Sequence, residues 1–199
     1  TGTTDCNSNR LRLEVASSGD LRIGKKAKEI WVGYYFYVPN TPDNFKDKLL
    51  QPYITQFYSV NRKGGQTVGG YAPQFSASIY NGKLSIEGNH VIDEKNLKGK
   101  WHKVEFNIRY SKDYDGFIKV YINDELKVNR SGFKTASHDY VDIKYGTYSH
   151  PEYGGASYPE GYQFPSHTIY FAGFSMNKDR SKLKICLLYT SDAADDDVR

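Results

Sequence analysis

Apolar and polar residues alternate with a period of two along much of this chain, the pattern of strands with one buried face. Residues 10–15 read Arg-Leu-Arg-Leu-Glu-Val, residues 30–38 form a longer run closed by Pro39, and residues 54–60 form another. Residues 75–80 and 83–87 flank Asn81-Gly82, a pair suited to the left-handed backbone of a two-residue hairpin turn. Residues 101–110 make a long strand, and residues 117–122 and 125–128 flank a second hairpin turn at Asn123-Asp124. Residues 140–148 and 168–175 complete the set. At least nine strands and no convincing long helix predict an all-β sandwich or jelly-roll. Residues 61–73, rich in Gly and basic side chains, and residues 149–167, with Pro, Gly, Tyr and His, are expected to be long loops. Long loops of this kind often carry function.

Composition agrees. Eighteen Tyr, 10 Phe and 18 Gly stand against a single Met, and 199 residues suit one domain with a full core. No apolar stretch approaches the length of a membrane span. No signal peptide is visible and the chain begins at Thr1, so either an export signal has been removed or the chain is a fragment.

The last fourteen residues read as foreign. Residues 186–195 back-translate into a sequencing-library adapter, so the native domain is expected to span residues 1–185 and the 186–199 tail to be non-native. Setting aside the tail's four Asp and one Arg changes the formal net charge from +4 to +7. That excess favours a polyanionic partner, with a solvated basic face as the alternative. A Cys6–Cys186 disulfide would suit a secreted protein, but Cys186 falls in the foreign tail.

Other chemistries find little support. Zinc spacing of Cys and His is absent. Gly64-Gly65 and Gly69-Gly70 follow a strand with no helix pattern behind them, unlike a phosphate-cradling loop. There is no Gly-x-Ser-x-Gly nucleophile elbow, and no Glu-x-Asp-x-x-Glu strand to supply the paired carboxylates of a sandwich-fold glycosidase. No cofactor is required by any motif. A structural calcium is compatible with loop carboxylates and carbonyls, without a locatable site.

Several motifs together resemble the jelly-roll polysaccharide lyases. Trp31, Gly33 and Pro39 match a W-x-G-x-x-x-x-x-P strand. Gly99, Trp101, His102, Ser111, Asp115-Gly116, Val120 and Asn123 match a G-x-W-H…S…D-G…V-x-x-N-G block. Lys144, Gly146 and Tyr148 match K-x-G-x-Y, while Arg12 and Glu14, and Gln56 and Tyr58, sit where R-x-E and Q-x-H occur. The order is right over residues 8–176, and the nearest relatives in pattern are glucuronan lyases, alginate lyases and heparin lyase I-like folds. The resemblance implies a concanavalin A-like β-jelly-roll sandwich with a concave substrate cleft, acting on an acidic polysaccharide outside the cell, secreted or periplasmic. A monomer is expected, without nucleic-acid or membrane partners.

Strand parity fits a shared site. Arg10, Arg12 and Glu14 face one way, as do Gln56 and Tyr58, and as do Lys144, Gly146, Tyr148 and, if the strand continues, His150. By resemblance, Gln56 and Arg12 neutralise a uronate carboxylate, Tyr148 is the acid and can also be the base, and Glu14 orients Arg12. Arg10 and Lys144 contact substrate. The family's His two residues after Gln is replaced by Tyr58. The base is then His150, His90, Tyr58 or Tyr148, or the site is a non-catalytic carbohydrate-binding module. Tyr153, Tyr158 and Tyr162 are either sugar platforms or a self-packed aromatic loop. Trp31 and Trp101 are expected in the core, and His102 in a structural role. A glycoside hydrolase, the third reading, would need two facing carboxylates. Which uronate is bound stays open.

Overall fold

The computed structural model describes residues 11–16, 21–22, 28–40, 45, 50–63, 66–69, 73–149, 162 and 165–186. Their strands are β1 (Leu11–Ala16), β2 (Leu21–Arg22), β3 (Lys28–Tyr37), β4 (Tyr53–Lys63), β5 (Gln66–Gly69), β6 (Pro73–Tyr80), β7 (Lys83–Ile86), β8 (Asn89–Ile92), β9 (Trp101–Tyr110), β10 (Gly116–Ile122), β11 (Glu125–Phe133), β12 (Tyr140–Ser149) and β13 (Tyr170–Asn177). One helical turn, α1 (Glu94–Leu97), precedes β9, and a 3₁₀ turn (Arg180–Lys182) follows β13.

The strands make two antiparallel sheets. The larger runs β1-β12-β4-β6-β7-β8, with β2 on β12 and β5 on β4, and the smaller runs β11-β10-β9-β3-β13. Strands distant in sequence lie side by side, β12 between β1 and β4 and β3 between β9 and β13, which is the jelly-roll-like sandwich the alternation predicts.

Period two explains how the sheets meet. On β3 the buried hydrophobic side chains are Ile30, Val32, Tyr34 and Phe36, and on β9 they include Val104, Phe106 and Ile108. From the larger sheet Phe57, Phe75, Ile79, Leu84 and Ile143 fill the same layer. Phe57 meets Phe106 edge-on at 4.9 Å between ring centroids. The buried Tyr34 hydroxyl finds a partner in Thr55 Oγ1, and burial holds that phenol well above its ordinary pKa.

Both expected hairpins form with left-handed turn residues, Asn81 (φ +48°) with Gly82 (φ +72°), and Asn123 (φ +49°) with Asp124 (φ +69°). A third, at Glu87 and Gly88, joins β7 to β8. Its Glu-Gly turn and four-residue strand carry too weak a signal to be read from sequence.

Two expectations need correction. Residues 61–63 and 66–69 are not loop, because β4 runs on to Lys63 and pairs with β5. Trp31 and Trp101 are not in the core: inward positions on β3 and β9 are the even ones, so both tryptophans fall on the outer face, with Trp101 37% exposed. Cys186 is an exposed free thiol, while Cys6 and the tail beyond Cys186 lie outside the described residues.

His102, by contrast, is structural. It is buried, donates from Nε2 to the Leu97 carbonyl at 3.0 Å and stacks on Phe36 at 5.2 Å. Burial holds the imidazole below its ordinary pKa, so between that lowered value and the unfolded value the unfolded chain binds a proton that the native state does not. Its contribution to stability is therefore full above about pH 6.5 and declines as pH falls through that value. Urea midpoints measured at about pH 7 and about pH 5 should fall on acidification, and by less in His102→Gln.

Gly146 ties β1 to β12. Its φ is +137°, and a Cβ there would lie 2.1 Å from the Leu13 carbonyl oxygen. Gly146→Ala is expected to cost about 1–3 kcal/mol in urea unfolding, through backbone strain and displacement of β1.

Candidate functional site

The face of the larger sheet opposite the core gathers the polar residues. Cross-strand partners share a face, and the register sets Arg12 opposite Tyr148, Tyr148 opposite Tyr53, Tyr53 opposite Ser78, Ser78 opposite Ser85 and Ser85 opposite His90. This row crosses six strands, a span of roughly 24 Å at ordinary strand spacing. A second row runs beside it, Lys144 opposite Gln56 and Gln56 opposite Ser76. A third pairs Asp142 with Tyr58. Gln56 therefore lies between the Tyr148 row and the Tyr58 row.

A bulge makes this arrangement. On β4 the pairing with β6 slips between Tyr53 and Thr55, so Ile54 is an extra residue. Ile54 joins the core and Thr55 bonds Tyr34 there, which returns Tyr53 to the face that carries Gln56. Tyr53 and Tyr148 then lie 6.4 Å apart, ring to ring.

Gln56 is the anomaly of the face. It is 0% exposed, and neither its Nε2 nor its Oε1 has a hydrogen-bond partner. An amide buried without partners costs about 1–3 kcal/mol and calls for an explanation. Its neighbours are better provided for, although Arg62 Nε is also buried without a partner. Lys144 Nζ sits over the Tyr58 ring at 4.6 Å, and Arg62 Nη2 donates to Asp142 Oδ1 at 2.5 Å. His90 Nδ1 and the Ser85 hydroxyl are bonded at 2.8 Å. Tyr148 and Tyr58 are buried to 8% and 9% exposure.

Thus Arg12, Glu14, Gln56, Tyr58, Lys144 and Tyr148 come together on three neighbouring strands. Arg10, His150, Tyr153 and Tyr158 lie outside the described residues, and Tyr162 is half-buried. Most of the expected 149–167 loop also lies outside them. Sequence reading overlooked Tyr53, because alternation sets an odd position against Gln56 and nothing announces the bulge. It also overlooked Asp142 and Arg62. The Asp142 signal was its parity with Lys144, and the Arg62 signal was lost when β4 was ended at residue 60.

Among the described residues, the carboxylates set on this face, Glu14 and Asp142, do not form a pair. Glu14 lies opposite Gly146 and Asp142 opposite Tyr58, so four residues of β12 separate their rows, about 13 Å. Paired glycosidase carboxylates stand roughly 5–9.5 Å apart. Among the described residues no three His, Cys, Asp or Glu side chains cluster as metal ligands would.

Comparison with known proteins bears on the fold that carries these residues. The endo-β-1,4-glucuronan lyase of the fungus Trichoderma reesei superposes with a TM-score of 0.61 at 16% identity, over 88% of this chain and 78% of that one. The alginate lyase Aly36B, in a complex with an alginate trisaccharide, gives 0.51 at 14% identity, over 77% and 71%. The alginate lyase vAL-1 from a Chlorella virus gives 0.50 at 11% identity, over 78% and 72%. At these identities the likeness is one of fold. No curated protein sequence matches the chain. The family model for polysaccharide lyases, however, matches residues 1–175, and with that match over most of its length the chain belongs to the polysaccharide lyase family.

Proposed function

We propose that this enzyme cleaves a uronate-containing polysaccharide, of the glucuronan or alginate type, by β-elimination. The observation that carries the reading is the buried, unpartnered Gln56 amide, opposite Lys144 and beside the Arg12–Tyr148 row. Such an amide suits a ligand carboxyl, since its Nε2 can donate to one oxygen of a uronate.

The reaction removes the proton from carbon 5 and breaks the bond from carbon 4 to the glycosidic oxygen. A double bond forms between the two carbons, and the leaving oxygen takes a proton. Negative charge spreads onto the carboxylate as carbon 5 loses its proton, so donors aimed there lower the barrier. Gln56 and Arg12 are the donors in this reading, with Glu14 orienting Arg12 and Lys144 adding charge. Tyr148 protonates the leaving oxygen. When proton and leaving group lie on one side of the sugar, Tyr148 also serves as base; when they lie on opposite sides, Tyr58, beyond Gln56, takes that role in this reading. Polymers of this kind lie outside the cell, so the enzyme is assigned there, secreted or periplasmic.

A panel of glucuronan, alginate, heparin and pectate, followed by the ultraviolet absorbance of the unsaturated uronate product, tests the proposal. One polymer should give a rising trace, and Tyr148→Phe should lower the rate by about 100-fold or more. A flat trace on every polymer, together with gel retardation by one of them, would instead make the protein a binding module. Tyr58→Phe separates the two base assignments, leaving the rate within a few-fold if Tyr148 acts alone.

Gln56→Leu should separate function from stability. Removal of the unpartnered amide is expected to raise unfolding free energy by about 1–3 kcal/mol, while the loss of one charge-stabilising donor lowers kcat by about 100-fold. A variant that is both less stable and fully active would overturn the role given to Gln56.

A further inference from the structure

We propose that the outer face of the five-stranded sheet carries a second, non-catalytic polysaccharide site built on Trp101, Tyr37 and Tyr170. These residues are successive cross-strand partners on β9, β3 and β13. Their rings follow one another at 5.5 Å from Trp101 to Tyr37 and 6.1 Å from Tyr37 to Tyr170. Trp101 is 37% exposed, Tyr170 is 53% exposed, and Tyr37 between them is half-buried. Single exposed aromatics are ordinary on a protein surface, whereas three in a line across adjacent strands make a patch that asks for an occupant.

The rest of that face shows how its aromatics are otherwise covered. Arg180 lies over Trp31 at 5.2 Å and over Tyr121 at 4.6 Å. Ile185 fills the space above Gly33 so closely that a Cβ there would meet its Cδ1 at 2.2 Å. The segment after β13 thus seals one half of the face and leaves the aromatic row open.

The occupant that fits is a pyranose chain. Each sugar ring offers an apolar face of C–H bonds that packs on an aromatic ring, with hydroxyls left at the edge for solvent and tyrosine. Charge favours an acidic chain. Glu105 and Asp124, carboxylates of this face, are taken up by Lys103 and Arg180, while Lys98 and the exposed Lys100 lie in the turn that enters β9 at Trp101. The row is on the opposite side of the sandwich from Gln56 and Tyr148, so one polymer can be held at the back while another segment occupies the front, raising the local substrate concentration. The inference rests on the family's polysaccharide substrate and not on the uronate chemistry proposed above.

Affinity electrophoresis of the full chain through gels containing each acidic polymer of the panel tests it, because retardation needs no turnover and reads the same if the lyase assignment fails. Tyr170→Ala, at the most exposed of the three, and Trp101→Ala should each weaken retention several-fold. Cleavage of short oligosaccharides, wherever it is measurable, and the near-ultraviolet circular dichroism of Tyr170→Ala should be unchanged. Retention equal to the parent's for both variants on every polymer would overturn the proposal. So would a parent dimer that Tyr170→Ala dissociates without loss of retention, the row then being a contact between two copies of this chain.

Discussion

Phe57 packed edge-on against Phe106 holds the two sheets in register with one another. Side chains alternate along a strand, so fixing Phe57 toward the core fixes Gln56 and Tyr58 toward the opposite face. A slip of one residue would reverse all of them. The same logic runs through β12, where Ile143 is in the core and Lys144 is not. The polar face of the larger sheet is therefore the reverse side of a well-packed hydrophobic layer, and its precision comes from that layer rather than from its own polar contacts.

Two local departures from regular strand geometry convert that face into a site. The extra residue at Ile54 brings Tyr53 round beside Tyr148, and the glycine at 146 lets the backbone of β1 approach β12 closely enough to pair Arg12 with Tyr148. Gln56 then sits buried between these rows with both polar atoms of its amide unmet. A folded protein tolerates a penalty of that size only where the surrounding core is ample or where a ligand completes the bonds.

The two outer faces differ in how they are completed. On the larger sheet, ion pairs such as Arg62 with Asp142 border the unpartnered amide. On the smaller sheet, Arg180 bonds the nearly buried Glu105 through two nitrogens and covers Trp31 and Tyr121. That clamp fixes the segment after β13 against the sheet. It also explains why so many aromatic side chains can lie outside the core: part of their surface is covered by the chain's own cation, and the row ending at Tyr170 is not.

The sequence by itself determined the fold class, the two main hairpins and the shared face within each strand, because all three depend on local rules of alternation and turn chemistry. It also contained Arg12, Gln56, Lys144 and Tyr148 as a set, through motif order. It misplaced Trp31 and Trp101, since a large aromatic reads as core unless the parity of its strand is counted against its neighbours. Tertiary structure alone decided that β12 lies between β1 and β4, that Lys144 stands opposite Gln56, and that Tyr53 joins Tyr148 across a bulge. Strand pairing brings together residues nearly a hundred positions apart, and a bulge reverses parity at one residue. Neither leaves a periodic trace in the chain, because both are settled by how the two sheets close over a common core.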